Sequence, residues 1–179
     1  ASNADLEIYE GSGLSYVFSS NFNPRVWNGN VNYEIGDTSA VSCLFGSNMS
    51  YGVGCGGSAT TLNLELVGSS LPGIGTNWNL TTNNIDPVSP IAITFLGASG
   101  VAIPLVAIGL NAPGCDLNLS TLLGSIQGTA VGGSATVSLA LPANPALIGQ
   151  QLSGQSIALT LSNSANIVSS NGVTGTIGN

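Results

Sequence analysis

The chain has 179 residues, 43% of them apolar, and its charged side chains are eight carboxylates and one arginine, for a net charge of −7. That length can bury the core of one domain, and an apolar share this high with so few charges is the reverse of a disordered composition. Without a basic face, nucleic-acid binding and adhesion to an anionic membrane are excluded. Without histidine or lysine, imidazole metal sites, Ser-His-Asp and Cys-His catalysis, Ser-Lys dyads and Schiff bases are excluded too.

Along the chain, Leu6 and Ile8 alternate with Asp5, Glu7 and, after Tyr9, Glu10, which predicts a half-buried strand. Leu14, Tyr16 and Phe18 form a second alternating set, and Gly11-Ser-Gly13 reads as a hinge between the two. Residues 1–20 are therefore expected to form a strand arm that either pairs locally or reaches away. Residues 21–32, rich in Asn and carrying Pro24, Arg25 and Trp27, read as a loop, and strands are expected over 31–35 and 39–45.

The stretch Tyr51-Gly-Val-Gly-Cys-Gly-Gly-Ser58 marks a seam, and its glycines predict a tight path with positive φ. Beyond it the chain is a nearly uncharged body. Strands are predicted where Leu62, Leu64 and Leu66 alternate with polar residues, over 76–82 with Trp78 and Leu80 on one face, and over 91–96 and 101–108 as buried runs. Gly97-Ala-Ser-Gly100 is expected to be the turn between the last two, with Pro104 at an edge or bulge. Residues 117–126 are apolar and polar by turns, 135–141 alternate cleanly, and Ile157, Leu159 and Leu161 mark another strand before a last one over 173–177. Asn144-Pro-Ala-Leu-Ile-Gly149 carries an N-cap, an N1 proline and a glycine stop, so one helical turn is expected there. The segment 87–113 is uncharged, but its glycines and proline and the lack of flanking basic residues argue against a membrane span. No sustained helical period occurs. The expected fold is all-β, a β-sandwich of short antiparallel strands of the jelly-roll or immunoglobulin-like kind, over residues 21–179.

Three cysteines allow Cys43–Cys55, Cys43–Cys115 or Cys55–Cys115, with one thiol left over. Four features then carry a resemblance: the 51–58 stretch, Ala112-Pro-Gly-Cys-Asp-Leu117, Leu141-Pro-Ala-Asn-Pro-Ala-Leu-Ile-Gly149, and Ser170-Asn-Gly-Val-Thr-Gly-Thr-Ile-Gly178. In this order the body, residues 51–179, resembles a β-sandwich domain at the C-terminal end of many secreted proteins of planctomycete-type bacteria. The resemblance implies a Cys55–Cys115 bridge with Cys43 as the extra, export, a surface location and no enzyme activity. The layout also resembles that of extracellular fibre subunits assembled by donor-strand complementation, in which a terminal strand of one copy fills a groove in the next. That resemblance makes residues 1–20 the donor, with Leu6, Ile8, Leu14 and Tyr16 filling pockets.

Other chemistries have thinner support. Carboxylate pairs for hydrolysis would be Glu34 with Asp37 or Asp86 with Asp116, and a calcium site would draw on Asp5, Glu7 and Glu10, which form no known loop motif. An aromatic platform for sugar would use Trp27 with Tyr33, or Trp78 with nearby Asn. Asn48, Asn79 and Asn118 stand in sequons, so a covalent glycan is expected as a possible partner. The chain is expected to be a structural subunit of an extracellular, cell-surface filament. It would have no cofactor and no metal, its partner being further copies of itself. The alternative is a carbohydrate-binding or adhesive module.

Overall fold

The computed structural model describes residues 11–14, 21–25, 45–60 and 62–179. The chain divides into two compact units, Ala1–Ser42 and Cys43–Asn179.

In the N-terminal unit, β1 (Gly11–Leu14) pairs antiparallel with β2 (Asn21–Arg25). The expected Gly-Ser-Gly hinge is thus part of a strand, and the expected loop at 21–25 is its partner. A register shift between Gly11 and Gly13 absorbs an irregularity that glycine tolerates. The expected strands at 5–10, 14–18, 31–35 and 39–45 lie wholly or largely outside the described residues, as do Trp27, Tyr33 and Cys43.

The second unit is a β-sandwich. One sheet, in order β3-β10-β9-β6-β7, comprises β3 (Ser47–Tyr51), β10 (Ile167–Thr176), β9 (Gln151–Leu159), β6 (Ile91–Pro104) and β7 (Asp116–Thr129). The other, in order β4-β5-β8, comprises β4 (Glu65–Gly68), β5 (Asn77–Asn83) and β8 (Ala135–Ala140). All pairings are antiparallel. The small sheet supplies the bulk of the core: Leu66, Trp78, Leu80 and Val137 are buried with Leu96, Leu141, Val173 and Ile177. The large sheet makes room with glycine. A Cβ on Gly175 would lie 2.7 Å from Trp78 Cζ2, and one on Gly154 would lie 3.1 Å from Leu80 Cδ1. A second cluster, with Leu64, Ile85, Leu105, Val168 and the two cysteines Cys55 and Cys115, fills the other end.

Two expectations fail in β6. Gly97-Ala-Ser-Gly100 is not a turn, because β6 runs unbroken through it to Pro104, and the true reversal begins with a 3₁₀ turn at Leu105–Ile108. The glycines there serve close approach: a Cβ on Gly97 would collide with the Thr121 carbonyl. Nor is 101–108 a buried run, since Val101, Ile103, Val106 and Ile108 are exposed. Leu62 and Leu161, expected in strands, are exposed and lie outside them. The turn at Asn144 forms as expected, as a 3₁₀ turn over Pro145–Leu147 with the Asn144 side chain accepting from the Ala146 amide at 3.0 Å.

Shifts of register between Leu96 and Gly97, Ala98 and Ser99, and Ser99 and Ile103 bend the β6–β7 hairpin. The start of β7 thereby reaches over the face of the large sheet that points away from the small one. Gln155 of β9 donates to the carbonyls of Asp116 and Ser170, each at 2.8 Å, and accepts from the Asn118 amide at 2.8 Å. Tyr51 of β3 donates to the Asn118 carbonyl at 3.1 Å, and burial pushes its hydroxyl pKa up. The Cys55–Cys115 disulfide pins this folded-over segment to the 51–58 stretch. In that stretch only Gly52 has positive φ; Gly54 is required instead because a Cβ would strike the Leu64 carbonyl.

Candidate functional site

An isolated β-sandwich acts on other molecules mainly through its open strand edges and its exposed faces, because an unpaired edge offers a row of main-chain donors and acceptors. Four edges bound this unit: β3 and β7 in the large sheet, β4 and β8 in the small one.

The β4 edge is occupied from within. The Leu64 amide donates to the Cys55 carbonyl at 2.9 Å. Two residues on, the side-chain amide of Asn171 accepts from the Leu66 N–H at 2.8 Å and donates to the Leu66 carbonyl at 3.0 Å. Beyond that, Asn48 Nδ2 donates to the Ser70 carbonyl at 2.8 Å and the Gly68 carbonyl at 3.4 Å, while its Oδ1 accepts from the Trp78 indole at 2.9 Å. Two asparagines on β3 and β10 thus stand where a neighbouring strand would be, and they tie the sheets together. Beside this closed seam lies a cavity of about 470 Å³ lined by Ser50, Val53, Leu62, Glu65, Asn84 and Asn171, among others.

The β7 edge is open by contrast. Residues 120–125 are all exposed, and among the described residues the main chain of 121–127 pairs with β6 alone. Leu122 and Leu123 sit on it, and Val101 and Ile103 on the paired strand, all exposed.

The one deeply buried charge among the described residues is Asp86. Its Oδ2 accepts from the Ser58 hydroxyl, the Ser58 amide at 2.9 Å, the Thr160 hydroxyl at 3.1 Å and the Ala59 amide at 3.3 Å, and its Oδ1 accepts from the Val88 amide at 3.2 Å. The Ser58 hydroxyl, helped by the Val88 and Ala59 amides and Thr160, holds the carboxyl below its usual range against the opposing effect of burial. Every acceptor direction is thus directed at the protein's own loops. The arrangement clasps the 58, 86 and 160 segments together.

Asp86 and Asp116, weighed as a hydrolytic pair, are held by different partners. Asp86 is fixed as above, while the main chain of Asp116 receives Gln155 and Ser169. Glu34, Asp37, Asp5, Glu7 and Glu10 lie outside the described residues. Among the described residues no cluster of three or more His, Cys, Asp or Glu side chains is suited to a metal ion. No helix among them is long and apolar enough to cross a membrane.

Trp78, a candidate sugar platform, is 1% exposed and packed against Gly175, so no ligand ring reaches it. Of the sequon residues, Asn118 is 1% exposed and its Nδ2 faces the Ser170 carbonyl at 3.4 Å; the Asn48 amide closes the β4 edge; Asn79 on β5 is half-buried. A glycan on Asn118 or Asn48 would displace these contacts. Of the donor-strand residues, Leu14 lies in β1, and Leu6, Ile8 and Tyr16 lie outside the described residues. The implied Cys55–Cys115 pairing is present, with Cα atoms 5.0 Å apart.

Sequence reasoning missed Asn171, Gln155 and the Ser58–Asp86–Thr160 clasp. The available signal was polar residues interrupting otherwise strand-like segments, as in Gln151-Leu-Ser-Gly-Gln-Ser156. Compared with known proteins, the chain matches no family model, no curated protein and no solved structure.

Proposed function

We propose that the chain is a structural subunit of an extracellular or cell-surface filament, each copy donating its N-terminal strand, residues 1–20, to the next. The observation that carries the reading is the surface of the body: large apolar side chains, Val101, Leu122 and Leu123 among them, stand exposed on a unit with almost no charge. From residue 87 to the end the only charged side chain is Asp116. Exposed apolar area of this kind marks contact surfaces, and with so little charge to keep copies apart, self-association is the natural use. The alternation of Leu6, Ile8, Leu14 and Tyr16 suits a strand whose alternate side chains enter pockets. A head-to-tail contact does not close, so it propagates. The disulfide agrees with an oxidising, extracellular setting.

In this reading the protein catalyses nothing and needs no cofactor. The resemblance to secreted planctomycete-type domains is compatible with it and rests on the four motifs. A peptide of residues 1–20 tests donation, because it would occupy the acceptor without offering one. Added in excess to assembling protein, it stops growth followed by light scattering, whereas the same peptide with Leu6 and Ile8 replaced by Asp does not. Equal growth in all three samples would refute strand donation.

A further inference from the structure

The fold fixes Asn171 and Gly172 for unrelated reasons. The Asn171 side chain closes the β4 edge: its Oδ1 accepts from the Leu66 N–H at 2.8 Å, and its Nδ2 donates to the carbonyls of Leu66 and Gly172 at 3.0 and 3.1 Å. Gly172 lies against the Tyr51 ring, where a Cβ would collide with it. The seam needs the amide and the ring needs the glycine, so β10 carries an Asn-Gly pair.

That pair has a chemistry of its own. Asparagine is thermally labile, and a glycine after it presents an unhindered main-chain nitrogen. In base the Gly172 nitrogen gives up its proton and bonds to Asn171 Cγ. The Cγ–Nδ2 bond breaks, and the side-chain nitrogen takes a proton from water and leaves as ammonia. Water then opens the five-membered imide at either carbonyl. One product is aspartate, and the other is isoaspartate, whose main chain runs through the former side chain.

The fold blocks the first step. Ring closure needs Cγ turned onto the Gly172 nitrogen, out of the extended backbone of a strand. Asn171 is 8% exposed, its amide is held at three points, and Gly172 pairs with Tyr51 on one side and Gln155 on the other. Loss of β4 frees the amide, and loss of the β3 and β9 pairing frees the backbone. The product cannot restore the seam. Aspartate has no N–H for the Leu66 carbonyl and brings a charge to a buried position. Isoaspartate adds a main-chain atom to a strand paired on both sides and disturbs its register.

We infer that Asn171–Gly172 is a latent modification site, silent in the folded sandwich and converted to aspartate or isoaspartate when the sheet opens, after which that copy cannot reclose its β4 edge. It rests on no part of the filament reading.

The test holds the wild-type chain at mildly alkaline pH with and without guanidinium chloride. Samples are digested with chymotrypsin over time, and residue 171 is read as amide or acid by tandem mass spectrometry. Asn28-Gly29, the other such pair in the chain, is the comparator in the denatured sample. In denaturant both pairs should convert at similar rates that rise with pH, and residue 171 should convert at least about a hundredfold more slowly in the native sample. Asn171→Asp, which makes one product directly, should have a lower denaturant midpoint than wild type or fail to fold. Equal conversion at 171 in the native and denatured samples would overturn the inference. So would no conversion at 171 in denaturant while Asn28 converts, or an Asn171→Asp chain as stable as wild type.

Discussion

Asn171 does for Leu66 what a neighbouring strand would do, offering one acceptor and one donor from a single side chain. Its replacement by Ala would leave a buried N–H and a buried carbonyl without partners, at a cost of about 2–4 kcal/mol. Urea denaturation of Asn171→Ala should show that loss with an unchanged slope. Asp86 makes a prediction about pH. Its folded-state carboxyl ionises more readily than in the unfolded chain, where its value is near 3.8. The clasp therefore contributes stability that is complete above about pH 4 and is lost as pH falls through the lower, folded-state value. Asp86→Asn should be less stable than wild type at pH 7, and its stability should fall less between pH 4 and pH 2. Equal acid sensitivity in the two proteins would locate the acid response elsewhere.

At the scale of elements, the Cys55–Cys115 bridge spans 60 residues and fixes the bent hairpin over the large sheet. Loop-closure entropy puts its contribution at about 4 kcal/mol. Replacing both cysteines by Ala should lower stability by roughly that much, measured by denaturant midpoint. How far the elements were legible follows from what each strand buries. β5 and β8 alternate apolar with polar because they bury one face against the large sheet, so Trp78, Leu80 and Val137 announced themselves. β9 lies between β10 and β6 and is covered on both faces, yet it buries Ser153, Gln155 and Ser156. Their hydrogen bonds, not their hydrophobicity, qualify them for the core, and no periodicity of apolar residues reports that. β6 misled in the opposite sense. Its apolar residues beyond Gly97 looked like core and stand at the surface, because burial depends on a bend that the sequence marks only with glycine. The closed β4 edge was illegible for a related reason, since Asn48 and Asn171 are far apart in the chain and meet β4 only in the fold.

For the whole molecule, the sandwich satisfies its interior well: among the described residues every buried side-chain nitrogen and oxygen has a hydrogen-bond partner. The unbalanced part is the exterior of the Cys43–Asn179 unit, where large apolar side chains stand exposed, and of the unit's residues only Glu65, Asp86 and Asp116 are charged. A subunit that spends its life in contact with copies of itself accounts for both features, and donation of residues 1–20 accounts for an alternating N-terminal strand. The most direct measurement is electron microscopy of the full chain beside a copy lacking residues 1–19. Regular filaments from the full chain and none from the shortened one are the predicted result. Monodisperse single particles from both would contradict the account.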